Sequence, residues 1–89
     1  MKRYSVSPDA AAAAVDDGTV VLNMRTKRYY SLNETGATVW RMLEDDADVA
    51  TIVRTLVATY DVDEATAVQT IDTLLRELVS EALIAPVPE

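Results

Sequence analysis

Residues 28–40 read RYYSLNETGATVW and contain a strand that leads directly into a helix. Residues 28–32 are rich in aromatic and apolar side chains, which is typical of a strand. Asn33 can cap a helix because its side-chain oxygen can accept a hydrogen bond from a first-turn N–H group. Trp40 and Leu43 then follow at a helical spacing. The stretch therefore predicts a strand at 28–32 and a helix that begins after Asn33.

Two further strands are predicted upstream. Residues 19–24 are β-branched and apolar, and they form a hairpin with residues 28–32 across a break at Thr26-Lys27. Residues 16–18, Asp-Asp-Gly, are typical of a three-residue turn whose glycine takes a positive φ, so residues 10–15 are predicted as a strand. A run of five alanines favours helix instead. We follow the turn and expect a three-stranded antiparallel meander.

Two more helices are predicted in the second half of the chain. Asp48 caps the first, in which apolar residues recur at helical spacing from Val49 to Tyr60. Asp63 caps the second, whose apolar arc is wider than one packing seam needs and leaves a spare edge. The predicted fold is therefore α+β and winged-helix-like, with a three-stranded antiparallel sheet followed by a three-helix bundle.

Size and composition limit the function. The 89 residues, 49% of them hydrophobic, predict a single domain over residues 1–89. Because the chain has no cysteine and no histidine, we expect no disulfide, no metal site and no cofactor, and no Gly-rich phosphate motif is present. No apolar run approaches the ~18 residues of a membrane span, and the start of the chain resembles no signal peptide. We expect a cytoplasmic protein without membrane contact.

Charge is distributed unevenly along the chain. Residues 1–41 contain six basic and four acidic residues, whereas residues 42–89 contain two basic and eleven acidic residues. A winged-helix DNA-binding protein is the alternative that the fold suggests, but its reading helix would carry no lysine or arginine before Arg76. Nucleic-acid affinity depends largely on basic residues that displace counterions, so we expect no nucleic acid as partner.

The residues that could carry catalysis are poorly placed for it. The carboxylate pairs Asp16-Asp17 and Asp45-Asp46 fall in predicted turns, where water solvates them. The serines have no histidine that could act as a base. We therefore predict no catalytic residue, and a function in binding.

Residues 28–32 are predicted to lie at the edge of the sheet, because the chain leaves them directly into a helix. An edge strand offers unpaired N–H and C=O groups to which an extended peptide can add. Alternation along the strand sends Tyr30 and Leu32 inward and Tyr29 outward. The spare edge of the third helix could supply apolar contacts, and Asp72 could accept a hydrogen bond at the rim.

The stretch from Arg28 to Ala37, followed by Val39-Trp40, resembles the PqqD-like family, the recognition elements of ribosomally made, modified peptides. Asp16-Asp17-Gly18 and Asp61-Val62-Asp63 also fall where such proteins place them, and the resemblance covers about residues 10–84. The strand-to-helix motif with Leu32-Asn33, Thr35-Gly36 and Trp40 is most similar to the stand-alone members of lasso-peptide pathways.

This resemblance implies that the chain binds the leader segment of a precursor peptide as an added antiparallel strand, in a cleft closed by the third helix. A leader peptidase of the same pathway is then a partner and a cyclase a further candidate. From the free edge of the sheet we expect a monomer or a weak dimer that pairs through its edge strands. The peptide-binding residues that it implies are Arg28, Tyr29, Tyr30, Ser31 and Leu32 on the strand and Val68, Ile71, Asp72 and Leu75 on the helix.

Lys27 departs from the family pattern, because relatives often have glycine at this position of the hairpin turn. A lysine at positive φ costs roughly 1 kcal/mol. Either the turn is of another type or lysine adopts this conformation. In the first case the pairing register of the third strand can differ by one residue.

Overall fold

The computed structural model describes residues 2–88 and shows three helices packed on one face of a three-stranded sheet. The elements are β1 (Tyr4–Val6), β2 (Ala10–Val15), β3 (Gly18–Asn23), β4 (Arg28–Leu32), α1 (Glu34–Glu44), α2 (Val49–Tyr60), α3 (Glu64–Ser80) and β5 (Ile84–Pro86). Strands β2, β3 and β4 form an antiparallel sheet in that order. The predicted α+β fold, with its three-stranded antiparallel sheet and three helices, is confirmed.

The alanine-rich segment is a strand, as the turn after it predicts. β2 pairs with β3 along its whole length and ends with Val15 opposite Gly18. The turn itself differs from the prediction, because only Asp16 and Asp17 lie between the strands and Gly18 does not take a positive φ. Gly18 is required for another reason: a Cβ at this position would overlap the carbonyl oxygen of Leu32.

The turn between β3 and β4 contains a lysine in the left-handed region. Lys27 has a φ of 65°, and its N–H donates to the carbonyl oxygen of Asn23 at 2.8 Å. The turn thus keeps a backbone conformation that favours glycine. The strand register is regular, with Leu22 opposite Tyr29. Lysine therefore adopts the strained conformation, and the strand does not shift.

Replacing Lys27 by glycine should stabilise the protein by about 1 kcal/mol. A side chain in the left-handed region costs roughly 1–2 kcal/mol, and part of the gain is lost because glycine makes the unfolded chain more flexible. Urea denaturation measures the change in the free energy of unfolding. Lys27→Ala is the control, since it removes the same charge but keeps a Cβ at the strained position. Equal stabilities of the two variants would contradict a role for backbone strain.

All three helices begin at the predicted caps. The side-chain oxygens of Asn33, Asp48 and Asp63 accept hydrogen bonds from backbone N–H groups three residues later, at 2.9, 2.8 and 2.7 Å. Hydrogen bonds from Thr51 lower the pKa of Asp48, and those from Thr66 lower the pKa of Asp63, because they favour the ionised carboxylate. Asn33 follows β4 directly, so its cap fixes both the end of that strand and the start of α1.

The core lies between the helices and the inner face of the sheet. Trp40 of α1 is 1% exposed, and Val21 and Leu32 join the same cluster from the strands. As alternation predicts, Leu32 faces inward with the half-buried Tyr30, whereas Tyr29 is 72% exposed on the outer face. The inner face of β4 is thus attached to the core, and its outer face is open.

A second, two-stranded sheet brings the two ends of the described chain together. β1 pairs antiparallel with β5, with Ser5 opposite Ala85. Tyr4 and Ile84 add side chains to the core from these strands. The sequence pattern does not predict this pairing, because each strand is only three residues long and the partners are far apart in the chain.

Within residues 2–88, no helix is long and apolar enough to cross a lipid bilayer. In the same range, no group of three or more His, Cys, Asp or Glu side chains lies in an arrangement that could hold a metal ion.

Candidate functional site

β4 forms one edge of the three-stranded sheet. It pairs with β3 on one side, and no other strand of the described residues pairs with it on the other side. Edge strands present backbone N–H and C=O groups that can pair with another chain. Residues 28–32 therefore form an open edge.

A cleft of about 470 Å³ lies between this edge and α3. Its walls come from β4, α1, the second half of α2, the α2–α3 connection and one face of α3. The lining residues are Tyr30, Ser31, Leu32, Asn33, Thr35, Gly36, Val39, Leu56, Tyr60, Val62, Thr66, Ala67, Thr70, Thr73, Leu74 and Glu77.

The cleft has an apolar floor and a row of hydroxyl groups along one wall. The floor includes Leu32, Val39 and Leu56, each at most 5% exposed. On the opposite wall, Thr66, Thr70 and Thr73 recur at helical spacing along α3. Such a surface suits apolar side chains of an extended ligand, while the threonines can bond to its polar groups.

Two polar contacts join β4 to α3 on the side of the β3–β4 turn. The Arg28 Nε atom lies 3.1 Å from Oε1 of Glu81, and the Tyr30 hydroxyl donates to the carboxylate of Glu77. The exposed Arg28–Glu81 pair is worth little stability, about 0–1 kcal/mol. Arg28 at the start of β4 thus meets Glu81, whereas Tyr30, further along the strand, meets Glu77, which comes earlier in the chain than Glu81. The helix therefore runs antiparallel to the strand along the cleft.

Asn23 connects the β3–β4 turn to the end of α3. Its side chain is 1% exposed, and Oδ1 accepts hydrogen bonds from the N–H groups of Arg25 and Thr26 at 3.0 and 3.2 Å. Nδ2 donates to the carbonyl oxygen of Glu81 at 3.1 Å. This buried amide therefore links the turn before β4 to the end of α3.

A family model matches most of the chain. The model described as coenzyme PQQ synthesis protein D (PqqD) matches residues 18–84, from the start of β3 to the first residue of β5. The chain belongs to the PqqD family. Among curated protein sequences, no match is found.

This PqqD-family chain is also similar to two solved structures. TbiB1 in complex with the TbiA(beta) leader peptide has a TM-score of 0.85 and 30% sequence identity, covering 90% of this chain and 93% of that chain. A lasso peptide synthetase B1 complexed with the leader peptide has a TM-score of 0.81 and 28% identity, covering 97% of this chain and 99% of that chain. The resemblance to PqqD-like recognition elements of lasso-peptide biosynthesis is thereby confirmed.

The five residues predicted on the strand lie along the open edge of the PqqD-family fold. Tyr30, Ser31 and Leu32 line the cleft. Arg28 reaches across to α3, and Tyr29 projects from the outer face of the sheet. Their role in peptide binding stays a prediction.

The four residues predicted on the third helix do not line this cleft. Ile71 and Leu75 are 1% and 4% exposed and belong to the core. Val68 lies in a second groove between α2 and α3, and the Asp72 carboxylate pairs with Arg76 at 2.7 Å. The apolar arc of α3 is used mainly for packing, so a neighbouring stripe of the helix faces β4.

The α3 wall of the cleft is a mixed stripe that the sequence did not single out. Three threonines alternate along it with small, apolar and acidic residues. Its members are Thr66, Ala67, Thr70, Thr73, Leu74 and Glu77. The threonine spacing is visible in the sequence, but threonines on a helix more often face solvent, so the spacing alone indicates no site.

Proposed function

We propose that this PqqD-family chain binds the leader segment of a ribosomal precursor peptide as an added antiparallel strand on β4, beside α3. The observation that carries the proposal is the open edge of β4 next to an apolar cleft. It is supported by the similar chains of known structure, both of which are complexes with leader peptides. The chain acts as one recognition domain without chemistry of its own. It presents the peptide to a leader peptidase and then to a cyclase.

Backbone pairing alone is too weak for useful affinity. About four backbone hydrogen bonds, at roughly 0.5–1.5 kcal/mol each, must offset an association cost of about 4–15 kcal/mol. Each apolar side chain buried on the floor of the cleft adds about 1.5–3 kcal/mol. Two or three such anchors bring the affinity to about micromolar or better.

The direction of the added strand follows from the sheet. A peptide antiparallel to β4 places its N-terminal part beside Leu32 and its C-terminal part beside Arg28. Leu32 belongs to the apolar floor, whereas Arg28 and Glu81 form an ion pair at the other end. The apolar anchors of the leader therefore lie on the N-terminal side of the segment that pairs with β4.

A backbone scan of the leader peptide tests strand addition. Five consecutive residues of a lasso-precursor leader peptide that binds this chain are N-methylated one at a time, and each affinity is measured by calorimetry. Only alternate N–H groups of an added strand point at β4, so alternate positions should lose about tenfold in affinity. A loss that recurs every three to four residues, or at no position, would instead indicate a helical ligand or a different site.

A further inference from the structure

A second groove lies on the other side of α3 from the cleft. It runs between α2 and α3 and has a volume of about 840 Å³, larger than that of the cleft. Apolar side chains form most of its lining, and one of them, Val68 on α3, is 47% exposed. The apolar lining residues are Val49, Ala50, Val53, Val57, Ala58 and Val68. An open apolar groove of this size is typical of a surface that binds another chain.

The groove and the cleft meet at the start of α3. Thr66 lines the cleft and Val68 lines the groove, and the two side chains point to opposite sides because two helical residues turn by about 200°. Val62 in the α2–α3 connection borders the cleft, and Glu64, two residues later, borders the groove. A chain that leaves the cleft at this end therefore reaches the groove by passing over the α2–α3 connection.

The proposed direction of the leader peptide sends its N-terminal flank to this end. The contacts of Arg28 and Tyr30 with α3 show that two residues of β4 match four residues of the helix, and both stretches span roughly 6–7 Å. Leu32 therefore lies level with Thr73, and α3 continues from there for roughly 14 Å to Glu64. About four extended residues before the one beside Leu32 cover this distance, and any earlier residues lie next to the groove.

We propose that the groove between α2 and α3 is a second leader-binding site, which takes the apolar N-terminal flank of the peptide whose following segment pairs with β4. This rests on the proposed leader-binding function. The flank crosses the α2–α3 connection and places apolar side chains between the two helices. Because the paired segment tethers the flank, weak contacts in the groove are enough to raise the affinity of the whole leader.

Charges along the groove give the flank an orientation. Glu64 makes the entrance at the α2–α3 connection negative. The far end lies at the start of α2, where the N–H of Val49 donates to the carbonyl oxygen of Lys2. In that half, Lys2 and Arg54 stand against Asp48 and leave a positive excess among the described residues. A flank with a basic residue near the paired segment and an acidic residue further towards its N-terminus is complementary to both ends.

A second copy of the chain fits the groove less well. A symmetric dimer places the same surface on both partners, and two concave surfaces leave the space between them unfilled. Most of the large exposed apolar residues that a copy could insert are Val15, Leu22 and Tyr29 on the sheet and Met24 in the turn beside it. A sheet is too broad to enter a groove between two helices, whereas an extended peptide flank is narrow enough.

Two forms of one leader peptide test the second site. The peptide is a lasso-precursor leader that binds this chain and has at least ten residues, including two large apolar ones, before its paired segment. The short form begins about four residues before the residue beside Leu32, and the long form keeps the whole flank. Calorimetry should show at least about tenfold tighter binding of the long form. A flank that binds the groove with a Kd of about 0.1 mM gives this factor at an effective concentration of about 1 mM.

Ala58→Trp blocks the groove without touching the cleft. Ala58 is exposed on α2 and lines the groove only. The variant should lower the affinity of the long form to that of the short form and leave the short form within about twofold of wild type. A bulky residue elsewhere in the groove, at Val68 for example, should cost no more than this factor, because the paired segment still binds.

Thr59→Trp is the matched control, because Thr59 is the next residue of α2, is exposed and lines neither cavity. It should bind both forms as wild type does. If Ala58→Trp lowers thermal stability, Ala50→Trp replaces it, since Ala50 is also exposed in the groove.

Equal affinities of the two forms for the wild-type chain overturn the second site and leave strand addition intact. A gain that Ala58→Trp does not reduce also overturns it, because the flank then binds elsewhere. So does a wild-type dimer in sedimentation that Ala58→Trp dissociates without any effect on the leader, since a second copy then occupies the groove. If no lasso-precursor leader binds the wild-type chain, the proposed function fails instead.

Discussion

Thr70→Trp should reduce leader-peptide affinity by at least about 100-fold while the protein stays folded. Thr70 is exposed on α3 and lines the wall of the cleft that faces β4. An indole at this position occupies space that an added strand needs for its inward side chains. Loss of two apolar anchors, at about 1.5–3 kcal/mol each, corresponds to a factor of 100 or more. Calorimetric titration with the leader peptide measures the affinity.

Two tryptophan variants on the same helix serve as controls. Gln69 is exposed on α3 but does not line the cleft, so Gln69→Trp should bind the leader as wild type does. Val68→Trp separates the two candidate faces of α3, because Val68 was predicted from the sequence but lies in the other groove. If Val68→Trp abolishes binding and Thr70→Trp does not, the peptide lies on the face that the sequence predicted and the cleft described above is not the site.

Gly18→Ala should destabilise the fold by roughly 2–4 kcal/mol. The added Cβ would overlap the carbonyl oxygen of Leu32, and it would also lie 3.0 Å from the Leu32 carbonyl carbon. These are backbone atoms, so they cannot rotate away as a side chain would. β3 and β4 must separate where Thr19 pairs with Leu32, next to the cleft. At about 4–8 °C per kcal/mol, the Tm should fall by at least about 8 °C in a thermal unfolding experiment.

The second glycine provides the control. A Cβ on Gly36 would lie 3.2 Å from Cβ and Cδ2 of the Leu32 side chain, which can adjust. Alanine also favours a helix by about 1 kcal/mol over glycine. Gly36→Ala should therefore change the stability by less than about 1 kcal/mol in either direction. If both alanine variants are equally stable, close approach of the backbone does not explain why residue 18 is glycine.

Local chemistry was sufficient to predict most element boundaries. The three helices begin after Asn33, Asp48 and Asp63 because each side chain accepts a hydrogen bond from an N–H group that the helix leaves free. The same reasoning placed β2 correctly against the helix preference of its alanines, because the turn at residues 16–18 required a strand before it. The predicted conformation of that turn was wrong, because a two-residue turn and a three-residue turn can share this composition.

The side of α3 that faces β4 could not be predicted in the same way. The spacing of Ile71 and Leu75 predicts an apolar stripe on the helix, but it does not distinguish a stripe that packs in the core from one that binds a ligand. In the structure the core covers it, and Thr70 and Thr73 on a different stripe meet the cleft. Asn23 was missed for a related reason, because its hydrogen bonds to α3 join residues 58 positions apart.

The order of strands, the starts of the helices and the open edge at β4 follow from interactions between residues close together in the chain. Such interactions depend on spacing and side-chain type, which a sequence displays directly. The cleft, its threonine wall and the pairing of β1 with β5 depend on how distant segments pack. Several arrangements of a helix bury a similar apolar area, and only complete packing of the core selects the rotation of α3 that leaves its threonines beside the open strand.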